Sequence, residues 1–179
     1  LFIKPIDGSR SLDNFIVKNE KDFLEIHFKN ERLMFLEYFE PQHYKEYTCD
    51  MYYNIVVELC SVVVRERIDV RDGEVKIART EKNSIISLLK DKLSVIEGVS
   101  GCITSQFFKN KNSDEIIAIE INPRFGGGFP LAYKAGANFP KWIIEEYFLN
   151  ESIEPDYGWE ENLLMIRYDK EIFINSYNV

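Results

Sequence analysis

Three side chains that offer oxygen ligands lie in two neighbouring apolar segments of the chain. Glu120 and Asn122 end the run Ile116–Asn122, and Gln106 lies fourteen residues before Glu120. Alternation along a strand places Glu120 and Asn122 on one face, and a hairpin centred near Ser113 places Gln106 opposite Glu120. One carboxylate and two amides suit a hard cation such as Mg²⁺ (or Mn²⁺), whose shell water and phosphate oxygens complete. The spacing therefore predicts a metal site at Gln106, Glu120 and Asn122.

Glu120 could also have a purely structural environment, of which two kinds are open. The run IIAIEIN surrounds the carboxylate with apolar side chains, and an unpaired buried carboxylate is strongly unfavourable. A core Arg or Lys could therefore be its partner in place of a metal ion. If the segment is instead an edge strand, the carboxylate faces solvent.

A glycine-rich loop follows this segment directly, with the sequence Pro123-Arg124-Phe125-Gly126-Gly127-Gly128. Proline ends the strand, and three glycines let the backbone approach a ligand closely. Arg124 lies two residues past a predicted metal ligand, so its guanidinium can stabilise charge on a transferring phosphoryl group or an acyl phosphate. A flexible loop with a surface arginine is the alternative. The sequence contains neither a Walker A motif nor G-x-G-x-x-G, so P-loop and Rossmann nucleotide sites are not supported.

Other polar residues are weaker candidates for a ligand site. Lys4 follows the apolar residues Leu1–Ile3 and precedes Pro5 and a small polar loop, an arrangement that can hold phosphates or form a surface turn. Glu46 follows apolar sequence and either binds a ribose or is exposed. Arg65, Arg67 and Arg71 alternate along a predicted strand, as a solvated face or as an anion-binding rim.

Composition restricts the class of protein. The 179 residues are 45% hydrophobic and 29% charged, as is usual for a globular protein. This length is sufficient for one domain with a core or for two small lobes sharing a cleft. A net charge of −8 disfavours nucleic-acid partners and acidic membranes. The most apolar stretch, residues 55–64, contains Glu58 and is too short to span a bilayer. Three cysteines without a CxxC pair favour a cytoplasmic protein in a reducing environment.

The elements that must position these residues mix strands and helices without a regular β-α-β alternation. Asn83–Ile96 has the apolar spacing of a helix, and Asp72-Gly73 predicts a hairpin turn. Further strands are predicted at 1–5, 15–17, 32–39, 46–57, 59–70, 74–78, 102–108, 115–121, 162–168 and 171–174, and further helices at 20–29, 131–135 and 140–149. This pattern predicts an α+β fold of mostly antiparallel sheets with packed helices.

The ordered motifs resemble a known family. The run Glu120–Leu131, followed by Ala135–Pro140, resembles the ATP-grasp ligases, and is most similar to the carbamoyl phosphate synthase large subunit and its single-domain relatives. The separation of fourteen residues between Gln106 and Glu120 in the sequence matches the arrangement of metal ligands in that family. The resemblance covers about residues 1–150 and implies an ATP-grasp fold whose amino-terminal part is missing.

The resemblance implies roles for individual residues. Those implied to bind ATP are Lys4 with the loop residues Gly8, Ser9 and Ser11 at the phosphates, Glu37, Tyr38 and Phe39 at the adenine, and Glu46 at the ribose. Those implied to act on metal and substrate are Gln106, Glu120 and Asn122 as Mg²⁺ ligands, Arg124 at the acyl phosphate, and Arg67 and Arg71 at the carboxylate substrate.

The implied reaction is the ATP-dependent phosphorylation of a carboxylate (bicarbonate or an amino acid) to an acyl phosphate, which an amine or ammonia then attacks. A nucleotide-binding or regulatory module without turnover, or an inactive fragment of a longer ligase, is the alternative. An upstream domain or partner subunit is expected, because the chain starts inside the family's central domain. The implied division is a nucleotide lobe at 1–57, a metal and substrate lobe at 58–150 and an extension at 151–179.

Two departures from the family pattern affect the nucleotide site. Arg10 stands in the phosphate loop where relatives favour glycine, which is expected to stiffen that loop. The segment Pro41–Lys45 is longer than the usual glycine-containing turn before Glu46.

Overall fold

The computed structural model of the chain describes residues 1–7, 13–22, 29–170 and 173. Gly8, Ser9 and Ser11 of the predicted phosphate loop, and Arg10, lie outside the described residues. So do most of the predicted helix at 20–29, of which Glu20–Asp22 forms a 3-10 turn, and most of the predicted strand at 171–174.

Two antiparallel sheets organise the described residues. The strands are β1 (Phe2–Pro5), β2 (Phe15–Ile16), β3 (Leu33–Leu36), β4 (Tyr44–Tyr53), β5 (Leu59–Arg71), β6 (Glu74–Thr80), β7 (Gly101–Asn110), β8 (Ile116–Asn122) and β9 (Leu164–Ile166). The helices are α1 (Ser84–Lys92), α2 (Phe129–Lys134) and α3 (Phe139–Leu149), with a 3-10 turn at Pro41–His43. The small sheet has the order β2-β1-β3, and the large sheet has the order β8-β7-β4-β5-β6-β9. The predicted antiparallel α+β class is confirmed.

The large sheet is covered on both faces around its central strand β4. On one face, α1 contributes Ile85 and Leu89 to a core with Met51 and Val62 of the sheet. On the other face, a second core packs over Tyr52 and Val63 and contains Phe129 of α2, Phe139 of α3, and Trp159 from the segment after α3. Beyond these helices the second face carries Glu46, Gln106 and Glu120, because side chains two residues apart share a face. The helices thus cover half of this face and leave its polar half for a site.

The predicted helix at 83–96 is shorter than expected. It ends at Lys92, because Leu93 leaves the helical region with φ −128° and caps the helix through its N–H. Leu93 and Ile96 still pack against the core under α1, so the apolar spacing continues after the helical backbone has ended. Periodicity alone therefore placed the end too late.

The closing strand β9 joins the edge of the large sheet. β9 pairs with β6 through Ile77–Ile166, Ala78–Met165 and Arg79–Leu164. The predicted lobe boundary at residue 57 falls in the turn between the paired strands β4 and β5, whereas the two sheets are separated by residues 37–43.

Among the described residues, no helix combines the length and the apolar character that crossing a bilayer requires.

The amino-terminal cap of α1 gives a test of the fold. Asn83 Oδ1 accepts a hydrogen bond from Ile85 N at 3.0 Å, so Asn83→Ala should lower the free energy of unfolding by about 1 kcal/mol. Ser87 is an exposed residue inside the same helix, and Ser87→Ala should change stability by less than about 0.5 kcal/mol. Urea unfolding followed by circular dichroism measures both. Equal stability of the two variants would show that Asn83 is not the cap.

Candidate functional site

A β-bulge decides which residues meet on β7 and β8. On the side of the bulge nearer the hairpin turn, Phe107 pairs with Ala118, and on the other side Gln106 pairs with Glu120. Ile119 is therefore the extra residue of β8. Without this residue Glu120 would not stand opposite Gln106. The hairpin turn and the bulge together therefore produce the predicted pairing.

Glu120 is the point at which the predicted metal ligands meet. Gln106 Nε2 donates to Glu120 Oε1 at 2.7 Å, and Asn122 Nδ2 donates to the same oxygen at 2.8 Å. Lys4 Nζ lies 3.5 Å from Glu120 Oε2 and reaches it from the small sheet. The site thus lies between the two sheets, with β1 on one side and β7–β8 on the other.

Two expectations about Glu120 need correction. Its side chain is 37% exposed, and neighbouring Ile121 is 52% exposed, because β8 is an edge strand of the large sheet. The apolar letters around Glu120 therefore do not bury it. The amides of Gln106 and Asn122 turn their NH₂ groups to the carboxylate, whereas the predicted metal site requires their oxygens.

The donor set fits a hard divalent cation that takes most of its ligands from elsewhere. The described residues contain no group of three or more His, Cys, Asp and Glu side chains arranged so that it could hold a metal ion. Reorienting the two amides presents their oxygens on the same side as the carboxylate, which makes three protein oxygens. Mg²⁺ typically binds through one or two carboxylates and completes its octahedron with water and phosphate oxygens.

A second ion pair adjoins Glu120. Arg67 Nε lies 2.9 Å from Glu46 Oε1, and Arg67 Nη2 donates to Gly73 O at 3.2 Å. Burial raises the pKa of Glu46, the nearby Arg67 guanidinium lowers it, and the Glu120 carboxylate raises it further. Two carboxylates and two cationic groups therefore occupy one surface, where the negative pair favours a bound cation.

The predicted adenine segment borders a cavity. Glu37 and Tyr38 line a space of about 450 Å³, and the other lining residues are Leu1, Val17, Lys18 and Glu40. Phe39 turns away from it and packs edge-on against Tyr44, with ring centroids 5.5 Å apart. Lys18 is a cation at this cavity that sequence reasoning missed, since a lone lysine in a polar stretch carries no pattern.

The three arginines of β5 have three different environments. Arg65 is fully buried and pairs with buried Asp50 through Nε–Oδ2 at 2.7 Å, so the solvated-face interpretation is wrong for this residue. Arg67 joins the site through Glu46. Arg71 is 74% exposed beside Asp72 at 3.9 Å, and the structure does not bring it to the other predicted site residues. Bulges around Asp69 interrupt the alternation that grouped the three.

Asp50 is a buried charge beside the candidate site that sequence reasoning missed. A charged residue inside the buried run of β4, and an arginine directly after three valines, were the available signals, because each requires a buried partner. Thr104 Oγ1 also lies 3.2 Å from Asp50 Oδ1, and it donates to Arg124 O at 2.8 Å.

Arg124 projects from the glycine-rich loop beside the predicted ligands. Its Nη2 lies 3.5 Å from Asn122 Oδ1 and its Nη1 donates to Phe125 O at 3.2 Å, while the residue is exposed and accessible to an anion. Gly128 lies against the guanidinium of Arg65, since a Cβ added there would overlap Arg65 Nη1.

The family assignment rests on a match to a family sequence model. Residues 29–166 match the model of a family described as ATP-grasp in the biosynthetic pathway with Ter operon. The chain belongs to the ATP-grasp family. This ATP-grasp chain has no match among curated proteins.

Solved structures share the fold of this ATP-grasp chain at low identity. A biotin carboxylase of Campylobacter jejuni in complex with β,γ-ATP is 16% identical with a TM-score of 0.64, and the match covers 91% of this chain and 40% of that one. The biotin carboxylase domain of a Hydrogenobacter thermophilus 2-oxoglutarate carboxylase, with MgADP, ADP and bicarbonate, is 13% identical with a TM-score of 0.64, covering 91% and 39%. N5-carboxyaminoimidazole synthetase of Staphylococcus aureus, with ADP, is 17% identical with a TM-score of 0.60, covering 75% and 37%. The chain thus spans less than half the length of each.

The loop offers a pair of glycines for a matched test. A Cβ at Gly128 meets the Arg65 guanidinium, which Asp50 holds in place, so Gly128→Ala should cost about 2 kcal/mol of stability. At Gly127 an added Cβ meets nothing within 4 Å, so Gly127→Ala should leave stability close to that of the parent. Chemical denaturation compares the two, and equal midpoints would contradict the close packing of Gly128 on Arg65.

Proposed function

We propose that this ATP-grasp chain carries the nucleotide and metal site of an ATP- and Mg²⁺-dependent ligase that activates a carboxylate. The observation that carries the proposal is the meeting of Gln106, Glu120 and Asn122 at one carboxylate, with Lys4 opposite and Arg124 beside it. One cluster thus combines oxygen ligands for a cation with two positive groups for phosphates.

In the proposed reaction a carboxylate oxygen attacks the γ-phosphorus of ATP, the bond to the bridging oxygen breaks, and ADP leaves. An amine or ammonia then attacks the carbonyl carbon of the acyl phosphate, phosphate leaves, and the nitrogen loses a proton. A Mg²⁺ ion held by Gln106, Glu120 and Asn122 would neutralise charge on the phosphates.

The chain's own groups have separate proposed roles around that transfer. Lys4 binds phosphate oxygens, and Arg124 stabilises the acyl phosphate as charge builds on it. Glu46 binds the ribose hydroxyls, and Glu37, Tyr38 and Phe39 border the adenine. Gly8, Ser9 and Ser11 close over the phosphates in this proposal.

The carboxylate substrate is proposed by chemical class. Arg67 is the proposed cation for it, because its side chain is 11% exposed and lies at the edge of the site. Arg71 is proposed as a more distant contributor. Bicarbonate, which is part of the Hydrogenobacter thermophilus complex, and an amino acid are the two candidates, and a reaction like that of carbamoyl phosphate synthase would use bicarbonate.

The remaining features of the proposal concern the whole protein. The cytoplasm is its proposed compartment, and small molecules are its proposed partners in place of nucleic acid or membrane. An additional domain or subunit is proposed to complete the site, which agrees with the partial coverage of the solved structures. The proposed lobes are 1–57 for the nucleotide and 58–150 for metal and substrate, with an extension at 151–179.

Calorimetry with ATP tests the metal assignment. Glu120→Gln removes the one charge among the three predicted ligands and should weaken ATP binding in Mg²⁺ by about tenfold or more. Asp114→Asn removes an equal charge from the exposed hairpin turn nearby, and it should bind like the parent. Chelation with EDTA should abolish the difference between Glu120→Gln and the parent. Equal affinity of all three proteins for Mg·ATP would refute the metal site.

A trapping experiment tests the ligase chemistry. Bicarbonate and each amino acid are offered with Mg·ATP, ADP release is measured, and hydroxylamine converts an acyl phosphate of an amino acid into a hydroxamate. Arg124→Ala should lower kcat by about 100-fold while the affinity for Mg·ATP stays unchanged, since the loss concerns charge that develops during transfer. ADP release that no carboxylate stimulates, despite tight Mg·ATP binding, would instead indicate a nucleotide-binding module.

A further inference from the structure

A buried ion pair lies beneath the glycine-rich loop. We propose that Asp50, Arg65 and Thr104 are positioning residues that hold the loop Arg124–Gly128 and thereby orient Arg124 for the phosphoryl transfer. This inference rests on the function proposed above and concerns the same site. It gives a role to the charged side chains of Asp50 and Arg65, which have none in the function proposed above.

The ion pair has a single orientation. Arg65 Nε and Nη2 donate to the two carboxylate oxygens of Asp50 at 2.7 and 3.1 Å, a bidentate arrangement. Both side chains are almost fully buried, at 1% and 0% exposure, so water does not compete for these hydrogen bonds. A charge pair that is desolvated to this extent is weak evidence for stability, and a role in specifying geometry accounts for it better.

Thr104 connects this pair to the loop. Its Oγ1 donates to the carbonyl oxygen of Arg124 at 2.8 Å and lies 3.2 Å from Asp50 Oδ1. Thr104 also stands opposite Asn122 in the β7–β8 register. The hydroxyl therefore holds the backbone of Arg124 at the place where the loop leaves the strand that carries two of the predicted metal ligands.

The guanidinium of Arg65 supports the same loop from below. Gly128 approaches Arg65 so closely that a Cβ would overlap Nη1, and at Gly126 a Cβ would lie 3.3 Å from Nη2. At Gly128 such a close approach of backbone to a flat cation is possible only without a side chain. The loop is thus held at its first residue by a hydrogen bond and along its glycines by packing.

The consequence falls on the side chain of Arg124. With its carbonyl held, the guanidinium remains near Asn122 Oδ1, on the same rim as Glu120. Catalytic groups lose effect when they are displaced by about 1 Å, so a fixed loop has a direct influence on rate.

Three variants separate positioning from general stability. Thr104→Val keeps the shape and removes the hydroxyl, and Thr104→Ser keeps the hydroxyl. Ser105→Ala is the matched control, because Ser105 is the next residue of β7, is fully buried on the opposite face, and its Oγ has no partner among the described residues.

Two measurements on the full chain compare the variants with the parent protein. Hydrogen exchange of the Phe129 amide, which donates to Gly126 O, reports the loop without any turnover. In Thr104→Val this exchange should rise by about tenfold, as expected for the loss of one hydrogen bond. With the best carboxylate, kcat should fall by a similar factor while KM for ATP stays within about twofold. Thr104→Ser should recover the rate, and Ser105→Ala should change neither measurement.

The outcomes distinguish this inference from the proposed function. Unchanged loop exchange in Thr104→Val, or increased exchange with an unchanged kcat, overturns the positioning role while ligase activity stands. An equal loss in Ser105→Ala also overturns it, because the effect would then follow stability. A parent chain without carboxylate-dependent ADP release refutes the proposed function, and the positioning of a catalytic Arg124 is refuted with it, even where the loop exchange responds.

Discussion

The antiparallel register of β4, β7 and β8 is the constraint on which the rest of the site depends. It sets Thr48 beside Gln106, Gln106 beside Glu120, and Thr104 beside both Asp50 and Asn122. All of these residues lie on the face of the large sheet opposite α1. A slip of one residue would move every one of them to the face that α1 covers.

Charge is distributed in two layers over this face. Glu120 with Lys4, and Glu46 with Arg67, are partly exposed, so their pairings exchange readily with cations and anions from solution. Asp50 and Arg65 are buried and joined by two hydrogen bonds, so breaking their pair would leave an unpaired charge away from solvent. The outer layer is suited to binding, while the inner layer is suited to holding the backbone that presents Arg124.

The sequence predicted more of the site than of its environment. Gln106 and Glu120 were correctly placed opposite each other, although a bulge at Ile119 that no pattern announced is needed for that register. Of the environments left open for Glu120, the edge strand is the observed one, and the sequence could not decide this because a single strand does not show its place in the strand order. Arg65 was assigned to a solvated face because alternation cannot reveal that Asp50 of the neighbouring strand buries and pairs with it.

The amino-acid sequence alone determined the candidate oxygen ligands at 106, 120 and 122, the glycine-rich loop that ends a strand, and the antiparallel α+β class with its ATP-grasp resemblance. These properties depend on residue types and their spacing along the chain, which can be read from the amino-acid sequence. The tertiary structure was required to decide which carboxylate is exposed and which arginine is buried. It also decided that Lys4 contacts Glu120, which lies 116 residues later in the chain. Burial and pairing depend on residues far apart in the chain, and they exist only after the two sheets have packed together.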